Sequence, residues 1–330
     1  MFHRETLINE TKTFCLNQDT LLSQEQLRYA SYYGLHFSGS NVKGLSSGPN
    51  PDIAHKMGHF SVGEHRLFAQ SWEDKNHLCQ GTLLLFHGYL DHLGLYKHII
   101  EYGLSRHLRV VGFDLPGHGI SSGEQAVIHD FLDYQDIMDA WLHLHNEQSP
   151  KPWYLIAQST GAAIAMDYLF TNQQDESKSP FRKVAFLAPL VRPTGLLKTK
   201  LLYLSLKPFK RYVDRSFKQN SNDAAFSEFL RSLDPLQSKR ISREWVGALF
   251  QYISRIESAK PIPITPLVIQ GDQDRTVNFI HNLAIIEQKF WQPRVIYLDG
   301  AMHHLANETE NYRRIILSEL DRWFDLKEPI

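Results

Sequence analysis

Apolar residues in this chain gather into short unbroken runs separated by longer stretches of helical spacing. The runs lie near Leu83, Val110, Leu155, Val184, Val268 and Ile296. A run of this length with no polar interruption suits a strand buried on both faces of a parallel sheet. Strand and helix patterns alternate, which predicts an α/β fold with a mostly parallel central sheet. Ahead of them, residues 58–62 and 65–69 alternate around Gly63-Glu64, a hairpin signal. A closing helix is predicted over 311–324, with Ile315, Ile316, Leu320, Trp323 and Phe324 on or near one face.

The alternation fails in two places. Residues 1–57 read as an amino-terminal extension. It contains a short helix over 23–33, then Ser38-Gly39-Ser40-Asn41 and Ser46-Ser47-Gly48-Pro49-Asn50-Pro51, both turn chemistry that breaks regular structure. Residues 191–262, bracketed by Pro193 and by Pro261, Pro263 and Pro266, read as helices inserted into the α/β pattern. Within them Trp245, Leu249, Phe250 and Ile253 follow helical spacing, and Ser242 is placed to cap that helix. The organisation expected is therefore 1–57 extension, 58–190 first part of the core, 191–262 insertion and 263–330 second part of the core.

Chemistry enters at Ala157-Gln158-Ser159-Thr160-Gly161, directly after the strand pattern Trp153-Tyr154-Leu155-Ile156. A serine on a sharp strand-to-helix turn has strained dihedrals, and only small residues two positions either side avoid a clash. Ala157 stands where glycine is usual and is still small. Two further strand patterns end in Gly271-Asp272-Gln273-Asp274 and in Gly300-Ala301-Met302-His303-His304. A serine hydroxyl needs an imidazole to take its proton and a carboxylate to hold the imidazole's tautomer. Ser159, one of Asp272 or Asp274, and one of His303 or His304 meet that need just past strand ends, where open α/β sheets build sites. Upstream, Leu83-Leu84-Leu85-Phe86 runs into His87-Gly88-Tyr89. In a fold that places an oxyanion donor after such a strand, the backbone amide of Tyr89 would pair with that of Thr160.

These motifs, together with Phe113-Asp114-Leu115-Pro116-Gly117-His118-Gly119, resemble the α/β-hydrolase superfamily, and within it the monoacylglycerol lipase and lysophospholipase branch. The resemblance covers roughly residues 58–325. It implies Ser159 as nucleophile, Asp274 as acid and His303 as base, His303 because it aligns with a Gly-Ala-x-His pattern. It implies Tyr89 and Thr160 as oxyanion donors, with His87, Gly88, Ala157, Gln158 and Gly161 in support. It also implies that 191–262 forms a helical cap over the site. The reaction implied is cleavage of a monoacyl lipid ester through an acyl-enzyme, with no cofactor. A short-chain esterase, thioesterase, acyltransferase or aminopeptidase would use the same scaffold, as would a non-catalytic hydrolase-like binding protein. An aminopeptidase would need cap carboxylates near the site to hold the substrate amine, and Glu228, Glu244 and Glu257 are the candidates.

The 330 residues are 42% hydrophobic with a net charge of −1, ample for a large core and without a footprint for nucleic acid. Two cysteines, Cys15 and Cys79, do not make a disulfide framework. The 17 histidines include no tight ligand spacing such as a metal site needs. The chain starts without a signal-like apolar stretch and contains no membrane-spanning run, so a cytoplasmic location is expected. Residues 195–218 carry seven basic residues against one acid, Asp214, among many leucines and aromatics. Two readings stand: a basic amphipathic surface for docking on an anionic bilayer, or a cap helix whose apolar face packs on the core while its lysines are solvated.

Overall fold

A computed structural model of the chain describes residues 1–17, 21–37, 52–172, 179–206 and 210–326. The Ser/Gly/Pro-rich loop of the extension lies outside the described residues, as do Lys207 and Phe209 of the basic segment. Eight strands form the main sheet: β1 (Ile53–Val62), β2 (His65–Asp74), β3 (Thr82–Phe86), β4 (Arg109–Phe113), β5 (Trp153–Gln158), β6 (Lys183–Leu187), β9 (Leu267–Gly271) and β10 (Arg294–Leu298). Two short strands, β7 (Tyr212–Asp214) and β8 (Arg240–Ser242), form a separate antiparallel ribbon. The main sheet runs in the order β1-β2-β4-β3-β5-β6-β9-β10. β2 pairs antiparallel with β1 and β4, and every other neighbouring pair is parallel. All six apolar runs are strands of this sheet.

Side chains alternate between two covered faces, which is why the central strands lack polar interruption. Leu84, Phe86, Val111, Leu155 and Phe186 point into one core with helices α4 (Leu132–Asn146), α5 (Thr160–Asn172) and α9 (Phe279–Lys289). Leu83, Leu85, Val110, Ile156 and Leu187 point into the other, with α3 (Lys97–Ser105) and α10 (Glu310–Phe324). In α10 the buried face is Ile316, Glu319, Leu320 and Phe324, while Ile315 is exposed.

The hairpin turns at Gly63, whose φ of +55° is the left-handed conformation that glycine adopts without strain. Its strands are longer than the alternation suggests, with β1 starting at Ile53. The amino-terminal segment packs on the core. Helices α1 (Arg4–Glu10) and α2 (Gln24–Tyr32) bury Leu7, Tyr29 and Ala30 against Phe68 and Trp72 of β2. A full capping box at Ser23 and Gln26 opens α2. Beside β1, Phe14 lies so close to Gly58 that a Cβ there would sit 2.3 Å from the Phe14 Cα.

Residues 191–262 cross the carboxyl edge of the sheet as α6 (Leu196–Leu206), β7, α7 (Ala224–Glu228), a π-helical turn over Phe229–Leu233, β8 and α8 (Arg243–Ser258). The β7–β8 ribbon was not legible as strand. Three-residue strands are too short to show a period, and their pairing is set by the fold around them. Ser242 caps α8, accepting from the Trp245 amide at 3.0 Å, and Trp245, Leu249, Tyr252, Ile253 and Ile256 are buried along it.

Candidate active site

β3 has β4 on one side and β5 on the other, and the helices that follow β3 and β4 cover opposite faces. The loops leaving β3 and β5 therefore frame a crevice at a topological switch point. Ser159 occupies the turn between β5 and α5 with φ of +53°, a conformation costly for any residue with a Cβ. The turn is held by the Ser159 amide on the Leu187 carbonyl at 2.9 Å. Gly161 is forced by packing, since a Cβ there would lie 2.5 Å from the Phe86 carbonyl oxygen. Ala157 is fully buried in β5, and the Gln158 side-chain oxygen accepts from the Ala306 amide at 3.0 Å, tying the elbow to the loop after β10.

That loop carries His303, whose Nε2 lies 2.9 Å from Ser159 Oγ and whose Nδ1 lies 2.7 Å from Asp274 Oδ2. Asp274 also accepts from the amides of Thr276 and Val277 through Oδ1 and from Gln270 Nε2 through Oδ2. Burial opposes its charge, but His303 and these donors hold its pKa below the ordinary carboxyl value. Burial likewise favours a neutral His303, yet the Asp274 carboxylate and its hydrogen bond raise the ring's pKa. A carboxylate fixing Nδ1–H leaves Nε2 free to accept the serine proton.

The alternatives lie elsewhere. Asp272 Oδ1 accepts from the Gly300 amide at 2.8 Å and braces a turn. His304 Nε2 sits 3.2 Å from Asp91 Oδ2. Asp91 also accepts from the Tyr96 hydroxyl, which in turn accepts from the Gly88 amide. His87 accepts from the Leu115 amide at Nε2, so its proton sits on Nδ1, donated to the Gly88 carbonyl. Burial lowers its pKa to about 3, which keeps it a neutral brace between the loops after β3 and β4. His118 hydrogen-bonds the Pro116 carbonyl and is likewise kept neutral by burial, with a pKa lowered to about 4.

A cavity of about 330 Å³ opens over Ser159 and His303, lined by Gly88, Tyr89, Thr160, Leu190, Trp245 and Leu249 among others. Thr160 is the first residue of α5, so its amide is one of the donors a helix start leaves without an intrahelical partner. The Tyr89 ring stacks on Trp245 at 3.6 Å between centroids, and its hydroxyl donates to the Ala126 carbonyl. The loop after β3 thus packs directly on α8. The sequence shows Asp91 and Gln270 only as members of longer runs, and Arg215 only as one of the basic residues of 195–218. Gln270 left a trace, as a polar residue at the end of a buried strand, whereas Asp91 and Arg215 depend on contacts distant in the chain.

Sheet order, the serine elbow and the hydrogen-bonded Ser159–His303–Asp274 chain define an α/β-hydrolase fold. Residues 79–310 match the family model described as serine aminopeptidase, S33. The chain belongs to that family. It is 24% identical to human monoglyceride lipase over 291 residues, covering 83% of this chain and 91% of the relative. A monoglyceride lipase homolog of monkeypox virus is 21% identical over 270 residues, covering 80% and 96%. Among solved structures, a soluble variant of monoglyceride lipase from Saccharomyces cerevisiae, in complex with a substrate analog, superposes with a TM-score of 0.70. It is 17% identical and the match covers 86% of this chain and 97% of that one, a likeness of fold.

Proposed function

We propose that this protein hydrolyses the carboxylic ester of a monoacyl lipid, a monoacylglycerol or lysophospholipid, through an acyl-enzyme on Ser159. The observation that carries the reading is the hydrogen-bonded chain from Ser159 through His303 to Asp274, beneath a cavity whose lining includes the apolar residues Leu190, Trp245, Val246 and Leu249. His303 takes the Ser159 proton as Oγ attacks the ester carbonyl, and the amides of Tyr89 and Thr160 stabilise the oxyanion. The imidazolium returns its proton to the leaving alcohol. Water activated by His303 then releases the fatty acid. The relatives that carry the name monoglyceride lipase support the lipid assignment.

Residues 191–262 act as the cap that walls the acyl cavity. On its outer side α6 exposes Leu197, Leu201 and Leu204, at 78%, 66% and 58%. Their i, i+4, i+7 spacing is one helical face, with Lys198 and Lys200 beside it. On the inner side of α6, Leu196 packs against the core and Tyr203 lies edge-on to Phe250 of α8. A leucine face bordered by lysines suits docking on the surface of an anionic bilayer from the cytoplasmic side. Among the described residues no helix is long and apolar enough to cross a membrane.

An aminopeptidase reading has less support. None of Glu228, Glu244 and Glu257 lines the Ser159 cavity. Glu228 pairs with Arg231, Glu244 with Arg211 and Arg243, and Glu257 with Arg192 and His281. The test compares wild type and Ser159→Ala on a long-chain monoacylglycerol, lysophosphatidylcholine, a butyrate ester and a proline anilide. Cleavage of the long monoacyl lipids, lost in the variant, is expected. Cleavage of the anilide alone would replace the lipase reading, and activity surviving Ser159→Ala would remove the mechanism.

A further inference from the structure

Part of the lining of the Ser159 cavity is cationic, with the single acid Asp91 also among its lining residues. Arg215, Lys218 and Asn220 line it, and the same three residues line a neighbouring cavity of about 300 Å³. Lys218 is exposed, whereas Arg215 is half-buried, on the segment that follows β7. Among the described residues the Arg215 guanidinium is paired with no carboxylate. Its contacts are the Gln237 side-chain oxygen, to which Nη1 donates, and the face of Phe217, 4.5 Å from the ring centre.

Two carboxylates lie near enough for their charge to act on Arg215, and both are committed elsewhere. Asp91 is held by Tyr96 and His304, and Asp234 by His92, Tyr33 and the Leu236 amide. A guanidinium offers five donors in a planar fork. Gln237 uses one side of it. Partial burial without a counter-ion disfavours the charge, and burial lowers this arginine's pKa accordingly. An anion entering the cavity would remove that cost and gain charge-assisted hydrogen bonds. A neutral glycerol head would do neither.

We propose that Arg215, with Lys218, forms a head-group subsite selecting monoacyl lipids that carry a phosphate over neutral monoacylglycerols. The inference rests on the monoacyl-lipid ester reading above and names its substrate class. The phosphate sits against the Arg215 fork while the acyl chain follows the apolar wall at Trp245 and Leu249. Water splits the ester into fatty acid and glycerol phosphate, with no other reactant.

The experiment uses the full chain with oleoyl lysophosphatidate, monooleoylglycerol and a butyrate ester in neutral detergent micelles. Wild type is expected to show a higher kcat/KM on the phosphate lipid than on the neutral one. Arg215→Gln should reduce that ratio about tenfold to a hundredfold, the worth of a hydrogen bond to a charged group. Arg215→Lys should retain most of it. Fluorophosphonate labelling of Ser159 reports that each variant is folded. Glycerol phosphate should inhibit wild type more strongly than glycerol or inorganic phosphate does, a readout that needs no variant. A wild-type preference for the neutral lipid would overturn the proposal, as would an unchanged ratio in labelled Arg215→Gln. Inhibition by inorganic phosphate equal to that by glycerol phosphate would replace the head-group subsite with a general anion site. Cleavage of butyrate with neither long lipid touched would overturn the lipid reading itself, and this inference with it.

Discussion

The buried pair His92–Asp234 joins three parts of the chain that the sequence keeps apart. His92 Nε2 lies 3.1 Å from Asp234 Oδ2, and both side chains are fully buried. His92 follows the oxyanion loop, and Asp234 follows the π-helical turn of the inserted segment. Tyr33, at the end of α2, donates its hydroxyl to Asp234 Oδ1 at 2.8 Å, and Tyr32 donates to the Leu233 carbonyl. Replacing Asp234 with Ala strands the His92 ring and the Tyr33 hydroxyl together. Removing one partner of a buried pair costs about 3–5 kcal/mol. An unfolding entropy of about 2.1 cal/mol/K per residue, over 330 residues, amounts to about 0.7 kcal/mol per degree. The expected fall in Tm is therefore about 4–7 °C, read by circular dichroism.

The loss should also depend on pH. Burial opposes charge on both groups, but each partner outweighs it, so the Asp234 pKa is lowered and the His92 pKa raised. The Asp234 contribution is present above the ordinary value of 3.8 and is lost as pH falls through the lowered folded value. The His92 contribution is full below the ordinary 6.5 and is lost as pH rises through the raised folded value. The gap in Tm between wild type and Asp234→Ala should be widest between those two ordinary values and narrow on the alkaline side. A gap under about 2 °C, or one flat from about pH 5 to about pH 9, would refute the reasoning.

Two further predictions concern catalysis and the bilayer. Asp274→Asn should lower kcat/KM by on the order of a thousandfold or more, because the wrong imidazole tautomer is then stabilised. The base must be neutral, so wild-type activity should fall as pH drops through the raised His303 pKa, above the ordinary 6.5. The residual activity of Asp274→Asn should lose its acid limb at lower pH, and an unmoved limb would separate Asp274 from that titration. Leu201→Asp on the exposed face of α6 should weaken flotation with anionic vesicles about tenfold or more, since burying one leucine is worth about 1.5–3 kcal/mol. Unchanged flotation, with hydrolysis of a dispersed ester intact, would move the docking surface elsewhere.

The sequence by itself determined the sheet and the line of the site. Strands buried on both faces must be apolar throughout, so six of them appear as unbroken runs. A nucleophile elbow must carry small residues around its serine, so Ala157 and Gly161 mark it. Those constraints are local, acting within a few residues along the chain. Tertiary structure decided what no local pattern encodes. It brought His303 and Asp274, the pair the family resemblance implies, into one hydrogen-bonded line with Ser159, which depends on the direction of loops far apart in the chain. It folded the amino-terminal segment onto β2 and, through Tyr33, onto the inserted segment. It paired β7 with β8, strands too short to show a period. It also left Arg215 lining the cavity without a paired carboxylate among the described residues, because a charge's partners are set by distance in space and not by place in the chain.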